Sequence, residues 1–201
     1  MEQDNGNMQL VKKSSIVRTF WNKIPMPRVV FQRRFDGMLE FYRNFSEYEN
    51  GFGAKDGEFW LGLKYIQELA AQGATEVRLD MSKAGDTEAY ETFQDFSLTG
   101  TSYTLNIGSR TGSTGIADHG LQYHNGYLFT TFDRDRDSRI GGNCAVDRHG
   151  AWWYGECGYV NLNGYYCTPG TVCNVALAER GSSARLVKRK WWRNVIYPEN
   201  M

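Results

Sequence analysis

The segment from Phe132 to Gly164, FDRDRDSRIGGNCAVDRHGAWWYGECGYVNLNG, constrains this protein more than any other. Asp133, Asp135 and Asp137 alternate with arginines, a Gly141-Gly142 turn follows, and Cys144 and Cys157 bracket the aromatic run Trp152-Trp153-Tyr154. Alternating carboxylates on a short loop suit a hard cation such as Ca²⁺, which takes several oxygens and tolerates irregular geometry. An EF-hand counted from Asp133 fails on register: it needs Gly at its sixth position and Glu at its twelfth, where this sequence has Ser138 and Cys144. A solvated acidic loop with Arg134 and Arg136 as internal counterions is the alternative, and the bare aspartate pattern leaves both open. Two cysteines this close can close a loop, with two buried free thiols as the alternative; a bridge would stabilise by roughly 3 kcal/mol on the chain-entropy account. The aromatic run cannot sit in water, so it plugs a core or lines a pocket.

A length of 201 residues fits one domain, or one and a part. With 41% hydrophobic and 14% aromatic residues it can bury a single sizeable core. Lys+Arg and Asp+Glu number 23 each, which argues against a general nucleic-acid or membrane binder. Four cysteines in two close pairs, Cys144/Cys157 and Cys167/Cys173, suggest an oxidising compartment, with metal clustering as the alternative. Neither pair has CxxC spacing and no His stands at zinc-finger spacing, which argues against zinc. Residues 1–21 hold no long apolar run of the signal-peptide kind. No segment approaches the length of a membrane span.

In order of sequence, residues 1–23 read as a poorly ordered or weakly helical extension, ended by Ile24-Pro25-Met26-Pro27. Val29 to Phe35 reads as a strand. Phe41, Phe45 and Tyr48 share a helical face, so 41–48 reads as a short helix or turn. Phe59 to Gln72 has a helical register, with Gly73 where a C-cap belongs. Thr75 to Met81 alternates as a half-buried strand, and Ala89–Leu98, Tyr103–Ile107 and Leu121–Phe129 are further strand candidates. Gly108 to Gly120 reads as a polar loop. Few helices and many short strands make an α+β domain built on antiparallel sheet, in which binding residues sit on loops held by the scaffold.

Several ordered motifs give a more specific reading. They are Val30-Phe31-Gln32-Arg33-Arg34 with Asp36-Gly37; Phe41-Tyr42-Arg43; Tyr48; Gly51-Phe52-Gly53; Gly57 to Gly62; Asn143-Cys144-Ala145; Gly150 to Tyr154; and Asn161-Leu162-Asn163-Gly164. In order and spacing this set resembles the fibrinogen C-terminal domain family, which includes fibrinogen itself, ficolins, tachylectins, tenascins, angiopoietins and invertebrate fibrinogen-related lectins. Thr168-Pro169-Gly170-Thr171 resembles molluscan-type members. The resemblance implies one domain over 24–201, matching most strongly over 29–166 and divergent over 167–201. The family's extra strand and cysteine pair ahead of VFQRR have no counterpart here. With no export signal visible, that suggests an incomplete sequence, a divergent gene model or an unusual isoform of a secreted, extracellular protein.

The resemblance also implies a site. Ca²⁺ would be held by the side chains of Asp135 and Asp137 and by the backbone carbonyls of Arg139 and Gly141, while Asp133 orients the loop. The Asp137–Cys144 segment looks one residue longer than usual, which loosens the carbonyl assignment. The family pairs Cys144 with Cys157; a Cys167–Cys173 bridge is not part of the family core. Lectin members hold an acetyl group beside the calcium loop, with a backbone N–H next to a cysteine and an aromatic wall. The matching positions are Arg148, Cys157, Gly158 and Tyr159. Here Gly158 replaces the family's His and Arg148 its Tyr, so an anionic ligand is expected to suit the site better than a neutral acetyl group. Tyr159, Tyr165 and Tyr166 are candidates for a rebuilt wall or for core.

The expected function is calcium-dependent, lectin-like recognition of glycans or pathogen-surface ligands in innate defence. The alternative is a protein–protein module of the tenascin or angiopoietin type. Homo-oligomers through regions outside this sequence are expected, nucleic-acid partners are not. No catalytic residues are expected: His119, His124 and His149 have no placed Ser or Cys partner, and Glu58 with Asp36 sits in structural motifs rather than in a glycosidase pair. The basic, aromatic tail from Arg180 reads as a C-terminal strand with solvated flanks in preference to a nucleic-acid or heparin patch. Leu186-Val187-Lys188 faintly echoes the family's last strand.

Overall fold

The computed structural model describes residues 29–82, 88–115, 120–166 and 192–199. The 1–23 extension, the Cys167/Cys173 pair and Leu186–Lys188 lie outside the described residues. Within them, strands β1 (Val29–Arg34), β2 (Phe52–Gly53), β3 (Phe59–Trp60), β4 (Ala74–Ser82), β5 (Glu88–Phe93), β8 (Arg110–Thr114) and β9 (Trp192–Glu199) form one sheet. Its order is β2-β3-β1-β9-β4-β5-β8, and every pairing is antiparallel. A separate hairpin joins β6 (Ser97–Thr99) to β7 (Thr104–Asn106). Helices are short: α1 (Phe45–Asn50), α2 (Leu63–Ala70) and α3 (Cys144–Asp147), with a 3₁₀ turn at Leu121–His124. This is the α+β, mainly antiparallel architecture expected from the sequence.

Strand β1 is buried on both faces, which explains its composition. Phe31 enters the aromatic core, edge-on to Trp60 at 5.9 Å. Buried Gln32 and Arg34 point the other way and hold the Asn161–Gly164 segment: Gln32 donates to Asn163 Oδ1, and Arg34 to the carbonyls of Leu162 and Gly164. The polar letters of VFQRR are therefore the lock for NLNG. The aromatic run plugs the core: Trp152, Trp153 and Tyr154 are buried, and Trp153 Nε1 donates to Tyr103 O at 2.6 Å. A buried indole with its N–H satisfied contributes area without leaving a polar group stranded.

Helix α1 begins at a capping box. Asn44 Oδ1 accepts from Glu47 N at 2.9 Å, while Glu47 Oε2 accepts from Asn44 N at 3.2 Å. Helix α2 starts later than its apolar register suggests. Phe59 and Trp60 pair with β1 and β2 instead, and Gly62 at φ +112° turns the backbone before Leu63. Its C-cap is Ala71, ahead of Gly73.

Two strand expectations and one loop expectation change. Ala89–Leu98 splits into β5 and β6 around Asp95, which takes φ +55°. Leu121–Phe129 is no strand: Leu121–His124 forms the 3₁₀ turn and Gly126 reverses direction at φ +84°. The Asn125 side chain then accepts Ile107 N at 2.9 Å, a bond that turn chemistry favours over a ladder. The 108–120 stretch contains strand β8, which pairs with β5 at the rim of the sheet and is solvated along most of its length. An edge strand wet on both faces shows no apolar alternation to read.

Candidate functional site

The acidic loop leaves the core at Thr130, which is bridged to Trp152, and returns at α3. Asp133, though exposed, turns toward α1: its Oδ1 accepts from Phe45 N at 2.9 Å and Thr131 Oγ1 at 2.7 Å, so it orients the loop against that helix. Asp137 ties the loop to its own exit, with Oδ1 accepting Arg139 N at 2.9 Å and Oδ2 accepting Cys144 N at 2.7 Å. Asp135 Oδ1 accepts Asp137 N at 3.3 Å. Burial raises the Asp137 pKa and the neighbouring Asp135 charge adds to it, against the lowering by the two amides. Two carboxylates held this close repel each other, and a cation between them would relieve the repulsion. The carbonyls of Arg139 and Gly141 accept no hydrogen bond among the described residues. An all-oxygen set of two carboxylates and two free carbonyls fits a hard cation such as Ca²⁺. No group of three or more His, Cys, Asp and Glu side chains gathers among the described residues, so such a site relies on the carbonyls and water.

Cys144 and Cys157 form a disulfide. It fastens the first residue of α3 to a tight loop in which Cys157 (φ +64°) and Gly158 (φ +81°) are both left-handed. Gly158 admits no side chain: a Cβ there would lie 2.5 Å from His124 Cε1 and 2.7 Å from Tyr123 Cε1. Its N–H is also committed, donating to Glu156 O at 3.0 Å. The backbone donor expected at Gly158 is therefore used within the loop itself. His124 braces the loop from beneath, with Nδ1 2.7 Å from Trp153 O and Nε2 accepting Val160 N at 3.1 Å. Both bonds require the neutral ring protonated on Nδ1.

The expected site residues separate into distinct places. Cys157 is buried in the disulfide. Tyr159 is half exposed and meets Tyr123 edge-on at 5.0 Å, and Tyr123 in turn lies 6.0 Å from Tyr127. This aromatic wall beside Gly158 draws two of its three rings from the 3₁₀ turn region, which sequence reading missed; the tyrosines around His124 were the available signal. Tyr166 is structural, donating to Phe35 O at 2.6 Å, and Tyr165 packs near His149 on another face. Arg148 caps α3 with its backbone, and the Arg139 charge disfavours its own. Arg139 ion-pairs with Asp147 and reaches within 3.9 Å of Cys157 Sγ.

Glu58, set aside above as an acid catalyst, is a clamp: its carboxylate accepts four backbone amides, from Phe35, Asp36, Gly37 and Leu39. No helix among the described residues is long and apolar enough to cross a membrane.

Comparison with known proteins fixes the class. Residues 26–192 match the family model for the C-terminal globular domain of the fibrinogen beta and gamma chains, so the protein belongs to the fibrinogen C-terminal domain family. It is a fibrinogen-like recognition module and not an enzyme. Human ficolin-3 is 42% identical over 140 residues, covering 69% of this protein and 46% of ficolin-3. Mouse microfibril-associated glycoprotein 4 is 40% identical over 145 residues, covering 68% and 55%. Chicken tenascin-R is 43% identical over 140 residues, 69% of this protein but 10% of tenascin-R. The matched region thus spans about half or less of these relatives. The fibrinogen-like globe domain of human ANGPTL2 superposes with TM-score 0.76 at 33% identity, covering 86% of the present sequence and 81% of that domain's.

Proposed function

We propose that the protein is an extracellular, calcium-dependent recognition module that binds glycans or other surface ligands at the Cys157–Val160 loop. One observation carries the reading: the acidic loop and the recognition loop are mechanically one. Asp137 holds Cys144 N at 2.7 Å, Cys144 is bonded to Cys157, and Ser138 N donates to Gly155 O at 3.2 Å. Ca²⁺ supplies the charge that lets Asp135 and Asp137 stay together; the protein's own bonds transmit their position to the loop beside Tyr123 and Tyr159. The kinship with ficolin-3 supports a sugar ligand. Kinship with tenascin-R favours the second reading, in which the same face meets a protein.

A ligand that binds only the folded state raises its stability, so Ca²⁺ should raise the melting temperature. Asp135→Ala combined with Asp137→Ala should erase that rise and the retention on a glycan array. A rise of equal size in the double variant would remove these carboxylates from the account. Array binding unaffected by chelation would separate the recognition face from the acidic loop.

A further inference from the structure

Arg148 is half-buried at the end of α3. Its backbone is fully used: the N–H donates to Cys144 O at 2.9 Å, and the carbonyl accepts Asn161 Nδ2 at 2.9 Å. Its guanidinium meets no acceptor among the described residues. Asp147, its neighbour in sequence, is taken by Arg139. Burial disfavours the Arg148 charge, the Tyr154 hydroxyl eases this, and the Arg139 charge adds to the cost. A cation that is partly desolvated, beside a like charge and without a counterion, is unfavourable by itself and is relieved by an incoming anion.

The surroundings define what that anion is attached to. Arg139 reaches Cys157 Sγ at 3.9 Å, so its guanidinium lies at the disulfide end of the recognition loop, and Arg148 ends the helix whose first residue, Cys144, is bonded to Cys157. The Gly158 N–H, the donor expected to meet a neutral acetyl group, is bonded to Glu156 O. The space a side chain at 158 would fill is held by Tyr123 and His124. Beside Gly158 the loop therefore presents tyrosine rings, with the Arg139 guanidinium at its disulfide end. Rings suit the apolar face of a sugar, and guanidinium suits a carboxylate or sulfate bidentately.

We propose that Arg148, with Arg139 beside it, forms a subsite for the carboxylate or sulfate group of an acidic glycan. This rests on the reading of the Cys157–Val160 face as the recognition site. The test uses all 201 residues with Ca²⁺ present and four immobilised probes: 3′-sialyllactose against lactose, and galactose 6-sulfate against galactose. The wild type should hold at least one charged probe about tenfold more tightly than its neutral parent, and this preference should weaken as salt rises. Arg148→Ala should abolish the preference. Arg148→Lys should keep only part of it, because an ammonium is a point charge without the planar fork. Whichever charged probe leads identifies carboxylate or sulfate as the preferred group. If Arg148→Ala does not reach a native melting transition, Arg139→Ala provides the second reading and should reduce the preference in the same direction. Equal binding of charged and neutral probes by the wild type would overturn the subsite while leaving the recognition face in place. A preference unchanged in both variants, or no binding of any charged probe by folded protein, also overturns it. Loss of neutral and charged binding together on chelation concerns the calcium loop, not Arg148.

Discussion

His124 carries much of the acid sensitivity expected of this fold. It is fully buried, and its two nitrogens span Trp153 O and Val160 N. Burial pushes its pKa down from 6.5 to about 4, against the opposing hydrogen bond to Trp153. The unfolded state takes up the proton near pH 6.5, and the folded state refuses it until about pH 4. The contribution is thus complete above pH 6.5 and is lost as pH falls toward 4, a span of about 3 kcal/mol. Between pH 7 and 4.5, denaturant titrations should show the wild type losing about 2–3 kcal/mol more than His124→Gln. Parallel losses in the two proteins would dismiss His124 as the source. The residue's structural role was legible from sequence, since no nucleophile accompanied it. Its grip on Val160 was not, because a bond across thirty-six positions leaves no mark on local pattern.

Glu58 shows how elements are fastened to one another. It lies just ahead of strand β3, and the turn after β1 wraps four amides around it: Phe35, Asp36 and Gly37 on Oε1, Leu39 on Oε2. Burial alone would raise its pKa; the amides of Gly37, Leu39, Phe35 and Asp36 overcome that and hold it below the ordinary carboxylate value. A carboxylate with a lowered folded pKa stabilises above its unfolded pKa, near 4.3, and loses that contribution as pH drops through the folded value. Glu58→Gln should therefore cost on the order of 2–3 kcal/mol at pH 7. The gap from wild type should narrow as pH falls through the folded pKa of Glu58, where the clamp loses its charge. A gap of the same size above and below that pKa would mean that shape, not charge, makes the clamp. At this scale the sequence was partly transparent. The apolar faces of α1 and α2 and the alternating β4 announce themselves through their periods. β8 does not, being an edge strand, and the 3₁₀ turn was masked by apolar residues that anchor a turn instead of a ladder.

At the scale of the whole molecule, β9 decides the architecture. It lies between β1 and β4 and pairs along its full length with β4, from Ala74↔Glu199 to Met81↔Trp192. The sequence supported a strand in the basic tail but not its central position, because strand order is a property of the sheet and not of any one segment. Without β9, β1 and β4 face each other across a missing row of backbone partners. A protein ending at residue 191 should show no cooperative thermal transition, and its Cys144–Cys157 bridge should be opened by a mild thiol reductant, and its cysteines then alkylated, under conditions that leave the bridge of the longer protein intact. A sharp transition in the shortened protein would mean that β1 and β4 can close the sheet directly.

That central position also sets an order in time. β1 and β9 are neighbours in space, yet Val29 pairs with Ile196 across almost the whole sequence. Loop closure over such a distance is won late, and proteins dominated by long-range strand pairing fold in milliseconds to seconds. On the ribosome, at about 5–20 residues per second, β1 waits on the order of 10–30 seconds for its partner to be made. Through that interval the nascent polypeptide exposes two unmatched strand edges, a period in which chaperones and the early closure of the Cys144–Cys157 bridge have the most to do.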